Sequence, residues 1–359
     1  MYLDILNSYY MAGVLKEISP VITFFKDRYF PTGTGDIFAA DKVLVEFQDG
    51  EHKMAPFMVE RSEPIAVGRL GYQIKEVAPS YINRSRVLTL DDLKKRGFGE
   101  AILPNSTWAE RATRLIADDL TVLQNQIARR EEWLAVQTML NNGYSINELD
   151  SQGNTVNVAT MHYYDGGSNP AVYLINNQWA SNTPWTTIAG DVSAMVRSLK
   201  QRGYPATDLI IGSDVCDVLY NNADVRALLN LQSGVIIGST IERELTQYEG
   251  VTTIGQLNFN GHRLNVIVAD SQYTADDGST ANYFPAKSIM VTAPGAGHMM
   301  YAQITQIEED DQFHTFVEKY VPRFFVDRRG NTREIWLQSR PLSAPKYKNP
   351  WIVASSVVA

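Results

Sequence analysis

The longest regular alternation of apolar and polar residues runs from Ser106 to Gly143, without proline or interior glycine. Thr107 and Glu110 have the spacing of a capping box, and Gly143 suits a left-handed C-terminal cap. The pattern predicts one helix over 107–142, roughly 50 Å long at about 1.5 Å per residue. Its apolar residues recur at steps of three, four and seven and so share one face: Trp108, Ala112, Ile116, Leu120, Leu123, Ile127 and Leu134.

Two arrangements can bury this apolar face. A coiled coil needs a strict heptad and regular flanking charges, whereas here the apolar spacing drifts and the charges are irregular. A helix lying across a sheet is therefore favoured, with the coiled coil left as the alternative. The residues predicted to form the core of the helix contact are Ile116, Leu120, Leu123, Ile127 and Leu134.

From Asp41 to Ile82 the pattern changes to short extended segments. KVLVEFQ (42–48), KMAPFMVE (53–60) and RLGYQIKEV (69–77) are typical of strands, and they carry few large apolar residues on either face. A two-stranded ribbon is marginally stable by itself. The sequence therefore predicts a protruding hairpin that something outside its own domain covers.

Helices and strands alternate from about 180 to 297, which predicts a small α/β domain. An amphipathic helix over 187–202 precedes a buried strand, TDLIIGS (207–213), and two short helices follow it. The last sixty or so residues return to strand patterns and contain no helix signal. Because the long helix still lacks a sheet, we expect these C-terminal strands to lie against it.

Composition narrows the class of protein. A hydrophobic fraction of 44% and a charged fraction of 20% are typical of a folded chain. The net charge of -8 argues against a dedicated nucleic-acid-binding surface. No apolar run approaches the roughly 20 residues that span a bilayer. The N-terminal residues lack the pattern of a signal peptide, and the single cysteine, Cys216, excludes an intramolecular disulfide.

The sequence contains no recognisable motif for a catalytic, cofactor or metal site. The five histidines lack ligand spacing, GTGDIF (33–38) lacks a preceding strand and a third glycine, and no G-x-S-x-G motif occurs. Cys216 is interpreted as a packing residue, with a reactive thiol as the alternative. EEDDQ (308–312) is interpreted as a solvated loop or helix end, with a Ca²⁺ site as the alternative. Residues 328–331 are interpreted as a hairpin turn, with a phosphate contact as the alternative. The sequence thus predicts no enzyme activity, no catalytic residue, no metal and no cofactor.

Three stretches carry a resemblance to a known family. ATDLIIGSDVCDVLYNNADVRALL (206–229) contains a strand, G-x-D-V and N-x-x-D-V-R. NQWASNTP (177–184) precedes it, and REIWLQSRPLSAPKYKNPWIVASSVVA (333–359) contains Q-S-x-P-L before a final short strand. These stretches, and the order of elements along the chain, resemble the Hong Kong 97-type major capsid proteins of tailed bacteriophages, specifically the lambda-like major capsid protein E family.

The resemblance implies an α+β fold with an N-arm at 1–36, an E-loop region at 37–84 and a first part of the P-domain at 85–179. It further implies that 107–142 is the spine helix, 180–297 the A-domain and 298–359 the second part of the P-domain. The ribbon then becomes the E-loop, whose tip charges pair across a subunit boundary. Its expected intersubunit residues are Met54, Phe57, Met58, Arg61, Glu63, Ile65, Arg69, Leu70 and Ile74.

The function implied is that of a major head protein that assembles into the icosahedral shell enclosing phage double-stranded DNA. Its expected partners are other copies in hexamers and pentamers, a separate scaffold protein, a portal and a decoration protein, with weak non-specific DNA contact and no membrane. Assembly is expected in the cytoplasm of the bacterial host, and the mature location in the virion capsid. The alternatives are an encapsulin-like bacterial compartment and a hydrolase that uses the α/β domain.

Overall fold

The computed structural model describes residues 21, 23–47, 73–94, 108–150, 155–163, 172–227, 248, 250–308, 310–327 and 329–359. Helices α1 to α5 span Phe24–Tyr29, Leu90–Lys94, Trp108–Asn141, Trp185–Gln201 and Ser213–Asn221. Strands β1 to β11 span Ile37–Phe38, Val43–Phe47, Gln73–Val77, Ile82–Thr89, Gly143–Leu149, Thr155–His162, Asp208–Ile211, Val251–Phe259, His262–Ala269, Gln272–Thr274 and Thr280–Asn282. Strands β12 to β19 span Ile289–Thr292, Gly297–Ala302, Ile304–Ile307, Phe313–Phe316, Val321–Asp327, Thr332–Ser339, Pro341–Pro345 and Ile352–Ala354.

The long helix α3, Trp108–Asn141, ends one residue before the predicted 142, and the predicted first residue, Thr107, lies outside the described residues. Its C-terminal cap differs from the prediction, because the residue in the left-handed region is Asn142, at φ 55°, and not Gly143. Gly143 instead begins β5 at φ 149°, where a Cβ atom would lie 1.9 Å from the carbonyl oxygen of Met161. Glycine is required there because the β6 backbone passes too closely for any side chain.

The N-terminal half of α3 packs on a three-stranded antiparallel sheet of order β16-β17-β4. This arrangement confirms that a C-terminal strand, β17, lies against the helix. The apolar side chains that meet in this contact are Ile116, Leu120, Leu123, Ile127, Leu88, Ile335 and Leu337. Strand β4 completes the sheet from the segment that follows the ribbon, which is a pairing between residues about 250 positions apart in the chain.

The C-terminal half of α3 enters the main core, where Ala135, Val136 and Met139 are fully buried. Leu134 is buried as well, and its carbonyl oxygen accepts a hydrogen bond from Ser343 Oγ at 3.1 Å. Ser343 lies in β18, which belongs to a second three-stranded sheet of order β1-β13-β18. One helix therefore supports two sheets and joins their cores.

The α/β unit contains a five-stranded sheet of order β19-β12-β7-β9-β8, in which β7 and β9 are parallel. Helices α4 and α5 pack on it, and all four residues of β7 are buried, as expected for a strand covered on both faces. The edge strand β19 (Ile352–Ala354) comes from the C-terminus and pairs with β12. The prediction that all of 298–359 belongs with the long helix is therefore wrong for this strand. Its three residues, IVA, are all apolar and fit a buried strand in either sheet, so the sequence does not show which sheet the strand joins.

The segment predicted as part of an extended N-arm also departs from that prediction. Helix α1 and the residues around it lie in the main core, where Phe24, Phe25, Tyr29 and Phe30 are at most 2% exposed. Phe25 stacks on Phe284 with ring centroids 6.0 Å apart. If this short helix extended into water, four aromatic side chains would expose a large apolar area. They are buried in the core of their own subunit instead.

Candidate assembly surface

The short helix α1 is held to α3 by a carboxylate at its N-terminus. Thr23, at the N-cap position, makes no side-chain capping bond. Glu132 of α3 supplies the acceptors instead, with Oε1 2.7 Å from the amide of Phe25 and Oε2 2.8 Å from that of Lys26. A carboxylate here satisfies two orphan backbone donors and opposes the positive end of the helix dipole. Burial raises the pKa of Glu132 to about 7, although these two hydrogen bonds favour its charged form.

The neighbouring residue of α3 forms the second attachment. Glu131 is 0% exposed, and its Oε2 lies 2.5 Å from Lys26 Nζ and accepts a hydrogen bond from Tyr320 at 3.1 Å. Burial opposes the charge on Lys26, but the Glu131 carboxylate outweighs it and raises the pKa of the ammonium well above its usual value. A permanently protonated lysine has no lone pair for nucleophilic chemistry. The cluster is therefore an anchor.

The opposite side of α1 is attached to the central sheet. Asp208 of β7 is fully buried and accepts from Arg28 Nε at 2.7 Å, from the Tyr29 hydroxyl at 3.0 Å and from Asn265 Nδ2 at 3.1 Å. Helix α1 thus links α3 to the α/β unit through charged groups that are removed from water. The sequence offered one signal for this: Glu131 occupies a position on the apolar stripe of α3, between Ile127 and Leu134.

The base of the predicted ribbon is present as an antiparallel pair of β2 and β3. Val45 and Val77 are buried against Tyr163, Leu342 and Ala344, so this base belongs to its own subunit. Ile74 lies in the pair, opposite Glu46. The remaining expected E-loop residues lie outside the described part of the chain: Met54, Phe57, Met58, Arg61, Glu63, Ile65, Arg69 and Leu70.

A second ribbon follows α3 directly, in a segment for which no strand was predicted. Strands β5 and β6 pair from Gly143–His162 to Leu149–Thr155, and most of their side chains are exposed. Exposed apolar residues on it include Leu149, Val156 and Val158. A two-stranded ribbon with so little buried surface is a marginal structure in isolation. It needs a partner surface.

A third protruding pair consists of β14 and β15. Its inner face carries Ile304 and Phe316, which are buried with Val321. Its outer face carries the cross-strand pair Ile307 and Phe313, which are 41% and 76% exposed. The EEDDQ stretch lies at its turn, where Asp310 Oδ2 is 2.7 Å from His314 Nε2. The described part of this turn is thus solvated, as the sequence analysis expected.

Two other sequence features can be placed. Cys216 lies in α5, half-buried, and burial followed by repulsion from Asp217 and Asp270 raises the pKa of its thiol to about 11. Such a thiol stays protonated at neutral pH and is a poor nucleophile. Within the described ranges, His, Cys, Asp and Glu form no group of three that could hold a metal ion. No helix in the part of the chain that the structure describes has the length and apolar character to cross a membrane.

Comparisons with known proteins agree with this architecture. A protein described as the capsid protein of a prophage of E. coli CFT073 is 16% identical, with a TM-score of 0.65 over 99% of both chains. A phage-related protein from Bordetella bronchiseptica RB50 is 9% identical, with a TM-score of 0.52 over 97% of both chains. The SrpI encapsulin of Synechococcus elongatus PCC 7942 is 10% identical, with a TM-score of 0.44 over 98% of this chain and 96% of that one.

The likeness to the prophage capsid protein shows the α+β fold of the Hong Kong 97-type capsid proteins. No curated protein matches the chain. The family model for phage major capsid protein E matches residues 7–355, which is nearly the whole sequence. The chain therefore belongs to the phage major capsid protein E family.

Proposed function

We propose that this chain is the subunit of an icosahedral phage head, in which neighbouring copies cover the ribbons that each copy leaves exposed. Membership of a major capsid protein family supports the general function. The observation that carries the proposal is the second ribbon, β5–β6, whose apolar residues Val156 and Val158 are 72% and 55% exposed. Monomeric proteins rarely extend such a ribbon into water.

Buried contacts join the helices and sheets of the subunit, whereas its ribbon β5–β6 buries little of its own surface. Helix α3 spans two sheets, and α1 joins it to the central sheet through Glu131, Glu132 and Asp208. A thin shell gains its stability from many repeated contacts between such subunits. The ribbon at 53–77 is the E-loop in this proposal, and its residues Met54, Phe57, Met58, Ile65 and Leu70 contact a neighbour.

The finer partners follow from the same proposal. Copies of the chain form hexamers and pentamers with a separate scaffold protein, and a portal and a decoration protein complete the head. Contact with the packaged DNA is weak and non-specific, since a net charge of -8 gives the shell little attraction for phosphates. Assembly takes place in the cytoplasm of the bacterial host, and the chain itself performs no catalysis.

The test is the state of the purified chain, expressed with and without the scaffold gene of its own phage. Negative-stain electron microscopy should show capsomers, shells or irregular curved assemblies, and light scattering should show a mass that rises with concentration. A single monomer species at all concentrations up to millimolar, in both preparations, would contradict the proposal.

A further inference from the structure

The chain contains two Asn-Gly dipeptides, Asn142–Gly143 and Asn260–Gly261. In this dipeptide the backbone nitrogen of glycine can attack the side-chain amide carbon of asparagine, because glycine has no Cβ atom that would shield its nitrogen. Asparagine is therefore among the chemically labile residues of proteins. The surroundings of each dipeptide decide whether the reaction proceeds there, and the two surroundings differ.

Asn260–Gly261 forms the two-residue turn between β8 and β9. Asn260 has φ 50° and Gly261 has φ 90°, and Phe259 pairs with His262 on either side of them. Positive φ at both central residues is the geometry of a type I′ hairpin turn, for which Asn-Gly is a preferred sequence. Both residues are exposed, and a Cβ atom on Gly261 would meet no described atom beyond its chain neighbours within 4 Å. The turn therefore leaves space for water and for rotation of the Asn260 side chain.

Asn142–Gly143 lies where α3 ends and β5 begins. Asn142 is 0% exposed, and its carbonyl accepts a hydrogen bond from the amide of Tyr163 at 3.1 Å. The backbone of Gly143 lies against that of Met161, with no space for a side chain between them. Close packing prevents the rotations that ring closure needs, and it excludes water. The fold thus protects this copy of the dipeptide.

The exposed turn also has positively charged surroundings. Lys200 Nζ lies 3.2 Å from His262 Nδ1, and burial followed by the charges of Lys200 and Arg197 lowers the pKa of His262. Attack by the glycine nitrogen creates negative charge, first on that nitrogen and then on the oxygen of the amide. Nearby cations stabilise such a charge, although solvent and salt screen it at the surface. The electrostatic surroundings therefore favour the reaction at this turn.

One contact restrains the attacking nitrogen. The N–H of Gly261 donates a hydrogen bond to Asn258 Oδ1 at 2.8 Å, and this bond is exposed to solvent. Water competes for both groups, so the bond contributes little to stability. It slows the attack, but it does not provide the burial that protects Asn142.

We propose that Asn260 is a site of spontaneous deamidation in the folded protein and that Asn142 is not. The nitrogen of Gly261 loses its proton to solvent base and bonds to Cγ of Asn260, the bond from Cγ to Nδ2 breaks, and ammonia leaves after taking a proton from water. Water then opens the five-membered succinimide at either carbonyl, which gives aspartate or isoaspartate. The net change is the addition of water and the loss of ammonia. This inference is independent of the proposed function, because it concerns a turn within one subunit.

The isoaspartate product alters the hairpin as well as its charge. It adds one methylene group to the backbone of a two-residue turn that holds Phe259 opposite His262. Phe259 is 1% exposed, and its ring centroid lies 5.1 Å from that of Trp185. The isoaspartate fraction should therefore unfold at a lower temperature than Asn260→Asp, which carries the same charge on a normal backbone. Equal unfolding midpoints would contradict this consequence.

Isotope labelling of the purified chain measures both dipeptides in one sample. The folded protein is incubated in mildly alkaline buffer made with heavy-oxygen water, so each deamidation during the incubation adds a heavy oxygen atom. Trypsin then releases 244–263, and glutamate-specific cleavage releases 133–148, for mass spectrometry. We expect deamidation at Asn260 to be at least ten times faster than at Asn142, with isoaspartate among the products. In urea, where both dipeptides are exposed, the two rates should become comparable.

The variants test the attacking atom. Gly261→Ala should slow the reaction at Asn260 at least tenfold, because the added methyl group shields the nitrogen. Asn258→Ala should raise the rate, because it releases the N–H of Gly261, and a lower rate would contradict the assignment of this nitrogen. Equal rates at the two dipeptides in the folded chain, no product at Asn260, or a product without isoaspartate would overturn the inference.

Discussion

The ammonium of Lys26 and the carboxylate of Glu131 lie 2.5 Å apart in the interior, on the short helix α1 and the long helix α3. The side chain of Glu131 is fully buried and that of Lys26 is 10% exposed. Neither charge can be removed alone without leaving the other in a medium of low dielectric. The pair therefore fixes the position of the short helix α1 on the long helix α3.

Breaking that pair should destabilise the subunit strongly. We expect Lys26→Met to lower the free energy of unfolding by about 3–5 kcal/mol, because Glu131 is left buried without its cation. The double variant Lys26→Met/Glu131→Gln should recover most of this loss, since glutamine still accepts from Tyr320. Urea unfolding measures the free energy of unfolding of both variants and of the parent, each studied as a chain that does not assemble.

The control for this experiment is the exposed pair Lys42–Glu76, whose side chains are 59% and 57% exposed. Lys42→Met should change stability by less than about 1 kcal/mol, because solvent screens the pair. Equal losses from Lys26→Met and Lys42→Met would contradict the role assigned to the buried pair.

Stability should fall with rising pH through the titration of Glu132. The folded pKa of about 7 lies above the usual 4.5, so the folded state keeps a proton that the unfolded state releases between these values. The stability from this proton is complete below pH 4.5 and is lost as pH rises through 7, at no more than about 1.4 kcal/mol per pH unit. Unfolding from pH 4.5 to 8 measures the slope.

Glu132→Gln is the matching variant for the pH experiment. It should be less stable than the parent at pH 4.5, because the NH₂ group of glutamine cannot accept a hydrogen bond from the backbone N–H of α1 that it faces. The difference between parent and variant should shrink as the pH rises to 7, since only the parent loses a proton there. A difference that stays constant over this range would refute the titration of Glu132.

The contact of α3 with the sheet is tested by two substitutions on its apolar face. Leu123→Ala should cost about 2–5 kcal/mol, because the side chain is 1% exposed and its removal leaves a cavity. Ile127→Pro removes a hydrogen bond in the helix interior and should cost about 3 kcal/mol or more. Both variants should lose soluble assembly. Val122→Ala, at a residue that is 36% exposed, should change the unfolding midpoint little.

Cys216→Ser should assemble as the parent does. The thiol lies half-buried in α5, its pKa is raised to about 11, and its role is packing. Electron microscopy of both proteins, with and without reducing agent, provides the comparison. Shells that disappear only in reducing agent would show instead that this cysteine forms a bond between subunits.

The elements that the sequence predicted are those with local signals. Helix α3 keeps a helical pattern of apolar residues over its 34 residues, and β2 and β3 show the alternation that is typical of strands. Each element could therefore be recognised within its own segment. The five residues expected in the core of α3 are all buried, because residues at helical spacing share one face and that face lies on the protein interior along its length: Ile116, Leu120, Leu123, Ile127 and Leu134.

The elements that were missed depend on distant partners or on burial of polar groups. The sequence at 147–155, NELDSQGNT, is polar except for Leu149 and has the composition of a turn, so it gave no signal for the strands β5 and β6. Strand β19 pairs with β12, about sixty residues away, and three apolar residues cannot specify which sheet they join. The role of Glu132 depends on the backbone amides of Phe25 and Lys26, which no pattern in the sequence reveals.

The most direct test of the shell proposal replaces 48–72 by a short Gly-Ser turn and keeps the base pair of strands, because Val45 and Val77 belong to the core of the subunit. Circular dichroism and size-exclusion chromatography with light scattering then compare this variant with the parent. We expect a monomer that has near-native secondary structure and a cooperative thermal transition but cannot close a shell. A variant that is unfolded, or one that still builds closed shells, would contradict it.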